Sequence, residues 1–172
     1  MSAHGTYTQV DGRPAVRFER ELRHPREAVW RLVTEPAELA HWFPCAVELE
    51  LRVGGAMRFV FSPDYELDGE VLECDPPTRF AFRWGRDVLT FTLAERGAGT
   101  GLELVHVLNE EGAPGAAKTA AGWHLCLDAL AARLDGNHDG PAPEGPTPAW
   151  RARYAEYVSA GVPAGAEVPG GA

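Results

Sequence analysis

Lysine is almost missing from this chain: Lys118 stands alone against fifteen arginines in 172 residues. That usage suits a GC-rich bacterial genome and says nothing about function. Serine occurs only as Ser2, Ser62 and Ser159, beside the terminus, in a turn and near the end, so a serine nucleophile with a partnered base is not expected. The three cysteines, Cys45, Cys74 and Cys126, are odd in number, widely spaced and set in apolar contexts. They argue against a disulfide framework and for three reduced, buried thiols in a cytoplasmic protein. No run approaches the ~20 apolar residues that span a bilayer. The first fourteen residues lack the apolar stretch of a signal peptide. Positive charge is scarce: a net charge of −9 argues against nucleic acid and against an anionic membrane surface. The six histidines show no His-x-x-x-His or His-x-His spacing, and Cys-x-x-Cys is absent, so neither a metal site nor a cofactor is expected. Gly97–Gly101 is glycine-rich but lies between two strand patterns, and reads as a hairpin loop.

What is present is a succession of short alternating segments. Residues 1–14 are polar and read as a loose N-terminal segment. From Ala15 to Arg23, Val16, Phe18 and Leu22 alternate with polar residues, the period of a half-buried strand. Two short helices are expected next, Pro25–Val33 and Pro36 to about Trp42, separated at Glu35-Pro36. Six strands then follow, carrying Val47–Val53, Met57–Phe61, Leu67–Cys74, Phe80–Trp84, Leu89–Leu93 and Leu102–Leu108. Tight turns such as Gly54-Gly55 make this an antiparallel meander. One apolar face of the sheet needs a cover. Pro114–Leu134 supplies it, with Trp123, Leu127, Leu130 and Leu134 on one helical stripe beside the small Ala116, Thr119 and Ala120. Residues 136–148 read as a linker, 149–160 as a short helix carrying Trp150, Tyr154 and Tyr157, and 161–172 as a disordered tail.

The fold class is therefore α+β: a seven-stranded curved antiparallel sheet, two short helices, and a long C-terminal helix, forming one domain over residues 15–135. Several short motifs occur in order along it: Ala28-Val29-Trp30, Thr34-Glu35-Pro36, His41-Trp42-Phe43, Val53-Gly54-Gly55, Gly69-Glu70-Val71, Pro76-Pro77, Phe82-Arg83-Trp84, Gly99-Thr100-Gly101 and Gly122-Trp123. With this order of elements the chain resembles the bacterial SRPBCC (START-like, helix-grip) domains grouped with the activator of heat shock protein 90 ATPase. The resemblance implies a ligand cavity between sheet and long helix. It implies no particular reaction, because related folds host carriers, cyclases, hydrolases and co-chaperones. The separate chaperone-binding domain of the eukaryotic activators is not seen, so chaperone activation does not follow.

His106 shares a strand face with Leu102, Leu104 and Leu108. It is either a hydrogen-bonded core histidine or a polar anchor or general base in the cavity. Glu73 alternates with Val71 and Gly69, so it could point inward and pair with His106, unless a bulge at Gly69 shifts the register. Arg83 is a further polar candidate. His124 lies at the edge of the helix stripe, either at the surface or at a cavity mouth. Trp42, Phe59, Phe61, Phe80, Phe82, Trp84, Phe91, Leu104, Trp123 and Leu127 are candidate walls or plain core, with Ala120 opposite them as the place where space is left. Trp42-Phe43-Pro44 could form a rim. Three functions fit: binding of a small hydrophobic or aromatic ligand; a cyclase, dehydratase or hydrolase using His106 and Glu73; or a protein-interaction module. Leu125, placed on the outer face of the long helix, hints at a homodimer.

Overall fold

The computed structural model describes residues 4–137 and 146–165. Twelve elements follow in order: β1 (Thr6–Val10), β2 (Arg13–Leu22), α1 (Arg26–Thr34), α2 (Pro36–Leu39), β3 (Ala46–Leu49), β4 (Ala56–Ser62), β5 (Tyr65–Asp75), β6 (Arg79–Trp84), β7 (Asp87–Arg96), β8 (Gly99–Val107), α3 (Ala116–Leu134) and α4 (Pro148–Ser159). One antiparallel sheet runs β1-β2-β8-β7-β6-β5-β4-β3.

The sheet has eight strands, one more than expected. The added strand is β1, in the segment read as loose. Its hairpin turns on Asp11-Gly12, where φ is 49° and 79°. A two-residue turn with both φ positive matches the twist of the strands it joins, and Asp-Gly is among the pairs that tolerate it. Thr6 then faces Arg17, and Val10 faces Arg13. Residues 1–3 lie outside the described residues.

The inner face of the sheet is aromatic. Phe18, Phe59, Phe80, Phe82 and Phe91 are buried with Leu93, Leu102 and Leu104. Each contributes about 1.5–3 kcal/mol by leaving water. Helix α3 packs on β2 and buries Trp123, Leu127 and Leu130, as its stripe requires. Helices α1 and α2 close one end: the Trp42 indole N–H donates to the Leu32 carbonyl at 2.8 Å and fixes the two helices together.

Thr147 caps α4 by accepting from the Trp150 N–H at 3.1 Å, and Pro148 opens the helix. The segment after it departs from the expected disordered tail. Val162 is buried, the Ala117 N–H donates to the Pro163 carbonyl at 2.9 Å, and the Tyr154 hydroxyl donates to the Ala164 carbonyl at 3.0 Å. Residues 161–165 are thus tied to α3 and α4, while 166–172, like 138–145 of the expected linker, lie outside the described residues. Cys45 and Cys126 are buried, but Cys74 is only half-buried. No helix among the described residues is long and apolar enough to cross a membrane.

Candidate functional site

Space remains at one end of the grip. A cleft of about 530 Å³ opens between the turn joining β6 to β7, the start of β5 and the N-terminal half of α3. Phe61, Tyr65, Trp84 and Trp123 form its aromatic walls, and Pro44, Leu67 and Cys126 add apolar surface. Phe61 and Trp84 lie parallel, at 6° and with centroids 6.0 Å apart; Trp123 meets Trp84 at 66° and 5.7 Å. The polar lining is His106, Asp87, Asn109, Thr119, Arg86 and Glu111.

The polar groups form a chain with fixed proton positions. The Trp123 indole can only donate, and its Nε1 lies 2.8 Å from His106 Nδ1. His106 Nδ1 therefore carries no proton. The imidazole is neutral, with its proton on Nε2, which donates to Asp87 Oδ2 at 2.6 Å. The other oxygen, Asp87 Oδ1, accepts from the Asn109 backbone N–H at 2.8 Å and from Asn109 Nδ2 at 2.6 Å. Asn109 Oδ1 in turn accepts from the N–H groups of Glu111 and Gly112. Burial pushes the Asp87 carboxyl up, while the hydrogen bond and electrostatic attraction of His106 and the two hydrogen bonds from Asn109 together bring it below its ordinary value. Burial pushes the Cys126 thiol up to about 12, so it lines the cleft as an apolar group. The Trp84 Nε1–H is buried without a hydrogen-bond partner.

Of the residues expected at a cavity, the structure brings Phe61, Trp84, His106 and Trp123 together. Trp42, Leu104, Ala120 and Leu127 are in the packed core, 1% exposed or less. Phe59, Phe80, Phe82 and Phe91 surround a hollow with no room for a water molecule. These eight pack as core: Val33, Leu39 and Phe43, from the two short helices and the turn after them, close over the four phenylalanines, and the cleft lies beyond them at Trp84 and Trp123. Ala120 is accordingly no entry point: Ala120→Leu is expected to cost about 2 kcal/mol by overpacking, read as a lowered urea midpoint.

His124 does not reach the cleft either. It is buried against Tyr157 of α4, with Nδ1 2.8 Å from the phenol oxygen. Glu73 is exposed and ion-paired with Arg79. The reason is a bulge: Val71 faces Phe82 and Glu73 faces Ala81, so Leu72 is the extra residue and the phase flips after it. Gly69, where a bulge was the alternative to an inward Glu73, stays in register opposite Trp84. Arg83 turns its guanidinium to the Gly85 carbonyl at 2.9 Å. The pairings of His106 with Glu73 or Arg83 are therefore not formed. Among the described residues no three His, Cys, Asp or Glu side chains are grouped to hold a metal ion.

The profile described as Activator of Hsp90 ATPase homolog 1-like protein matches residues 23–135, well over half of the chain. The chain belongs to that family. Its members' helix-grip architecture is also seen in solved structures. A conserved protein of unknown function from Enterococcus faecalis superposes with a TM-score of 0.76 at 23% identity, over 91% of this chain and 89% of its own. CalU16 from Micromonospora echinospora gives 0.69 at 23% identity, over 90% and 94%. A Mesorhizobium loti protein gives 0.65 at 26% identity, over 71% and 97%. These likenesses speak to the fold. No curated protein matches the chain.

Asp87 and Asn109 were missed in the sequence because neither sits in an apolar stripe. The Gly85-Arg86 turn, which returns Asp87 beside the last strand, was the available signal.

Proposed function

We propose that this family member binds a small, largely aromatic or apolar molecule in the cleft at Trp84 and Trp123. The observation that carries this reading is the cleft itself: about 530 Å³, walled by four aromatic side chains, with a polar chain along one side. Its size and its mix of apolar wall and few polar groups suit ligand sites in general. The enzyme reading has less support. A general base needs a free lone pair, and both nitrogens of His106 are already engaged.

Native mass spectrometry on protein purified from its own host tests the proposal. A recurring non-covalent adduct, lost on denaturation, supports it. A clean apo mass from several growth conditions counts against it. Thr119 is half-buried on the cleft side of α3. Thr119→Phe fills the space without disturbing the core, so it is expected to remove the adduct while leaving the urea midpoint nearly unchanged. An adduct that persists in this variant sits elsewhere.

A further inference from the structure

The charges around the cleft do not balance. Arg86 and Glu111 face each other across the rim at 2.8 Å and cancel. Asp87 remains. It sits at the cleft wall with only 17% of its side chain exposed. Its hydrogen-bond donors are a neutral imidazole, an amide and a backbone N–H. Among the described residues no arginine or lysine is within ion-pair distance of it. Oδ2 accepts one hydrogen bond, which leaves it a lone pair. A carboxylate hydrogen-bonded by three donors, with no arginine or lysine beside it and four aromatic side chains on the same cleft, is an arrangement that attracts positive charge. Aromatic faces carry negative quadrupole potential, and a desolvated cation over such a ring gains more than an exposed one. The chain's net charge of −9 adds a long-range field of the same sign.

Resting on the ligand-binding reading above, we infer that the cleft selects an organic cation: an amine or quaternary ammonium carried on an aromatic or apolar body. The body packs between Phe61 and Trp123, and the charge lies over the Trp84 ring and toward Asp87 Oδ2. The Arg86–Glu111 pair stays closed, because a cation offers Arg86 nothing.

Isothermal titration calorimetry with three probes of one shape tests this: naphthylmethylammonium, naphthylmethanol and naphthoate. The ammonium is expected to bind at least about tenfold tighter than the alcohol, and the naphthoate weakest of the three. Raising the salt should weaken the ammonium and leave the alcohol unmoved, a readout that needs no variant. In Asp87→Asn the ammonium should fall to within about threefold of that variant's own affinity for the alcohol. If the alcohol and ammonium bind equally, or the naphthoate binds tightest, the charge inference is overturned and the ligand-binding reading stands. If none of the three binds up to millimolar concentration, both fall.

Discussion

Lowering the pH from about 7 to 4 is expected to remove roughly 3 kcal/mol of stability through His124 alone. His124 is 2% exposed on α3, and Tyr157 of α4, equally buried, meets it. The Gly5 N–H donates to the Tyr157 oxygen at 2.8 Å, so the hydroxyl proton is free to go to His124 Nδ1. That arrangement satisfies all three groups and requires a neutral imidazole. The groups around it act on the charged form. Burial lowers the His124 pKa most, Asp128 opposes that, and Arg153, Arg20 and His4 push it further down, from 6.5 to about 4. A pKa depressed in the fold means that the unfolded chain takes the proton first. The contribution is complete above about pH 6.5 and is lost as pH falls toward 4. His124→Asn keeps an acceptor near the Nδ1 position and removes the titration. Urea unfolding of both proteins across this range should show the variant losing roughly 3 kcal/mol less than the wild type. Equal losses in the two would mean that His124 is not held neutral by the fold. Because Tyr157 joins His124 to Gly5, acid should loosen α4 and the N-terminal segment together, visible as early hydrogen exchange at both.

The difference between what was legible in the sequence and what was not follows from the range of the interactions. Strand and helix identities rest on period-two and period-3.6 patterns of side chains such as Phe80, Phe82 and Trp84, or Trp123, Leu127 and Leu130. Those patterns survive in the structure because one buried face enforces them. The cleft does not rest on such a pattern. Phe59 and Phe61 are two residues apart on one strand, yet one is core and the other wall. What separates them is Phe43, which stacks on Phe59 and leaves Phe61 to the cleft. Nor could alternation carry the side-chain phase past Leu72: one inserted residue moved Glu73 from the inner face to the surface. The Asp11-Gly12 turn was legible and overlooked, since Thr6–Val10 before it is rich in β-formers. His124 offered two readings, surface or cavity mouth, and the structure gives a third because α4 folds back over it. α4 comes after the long helix in sequence, and no local pattern predicts that it docks on His124.

Asp87→Ala should be the costliest single change in the cleft, at about 3 kcal/mol. The carboxylate accepts three hydrogen bonds, from His106 Nε2, the Asn109 backbone and the Asn109 side chain. Removing it leaves three donors without partners. Water in the cleft can reach Asn109, which is half-buried, but His106 is 3% exposed and cannot be rehydrated without opening the sheet–helix contact. Its orphaned N–H alone accounts for about 1–3 kcal/mol. Trp123→Phe breaks the other end of the chain, leaving His106 Nδ1 with no donor, and should cost about 1–2 kcal/mol. The two changes act on one residue, so their effects should not add: a double variant that falls short of the sum would measure the coupling through His106. This cycle also separates two roles for the histidine. A base that works on a ligand would be freed by Trp123→Phe, since Nδ1 then gains an available lone pair. A structural link between sheet and helix would only be weakened. Loss of stability in both single variants, with no gain of reactivity in Trp123→Phe, fits the link. Full stability in Asp87→Ala would mean that the chain from Trp123 to Asn109 does not hold the end of the grip, and the rim of the cleft would then need another support.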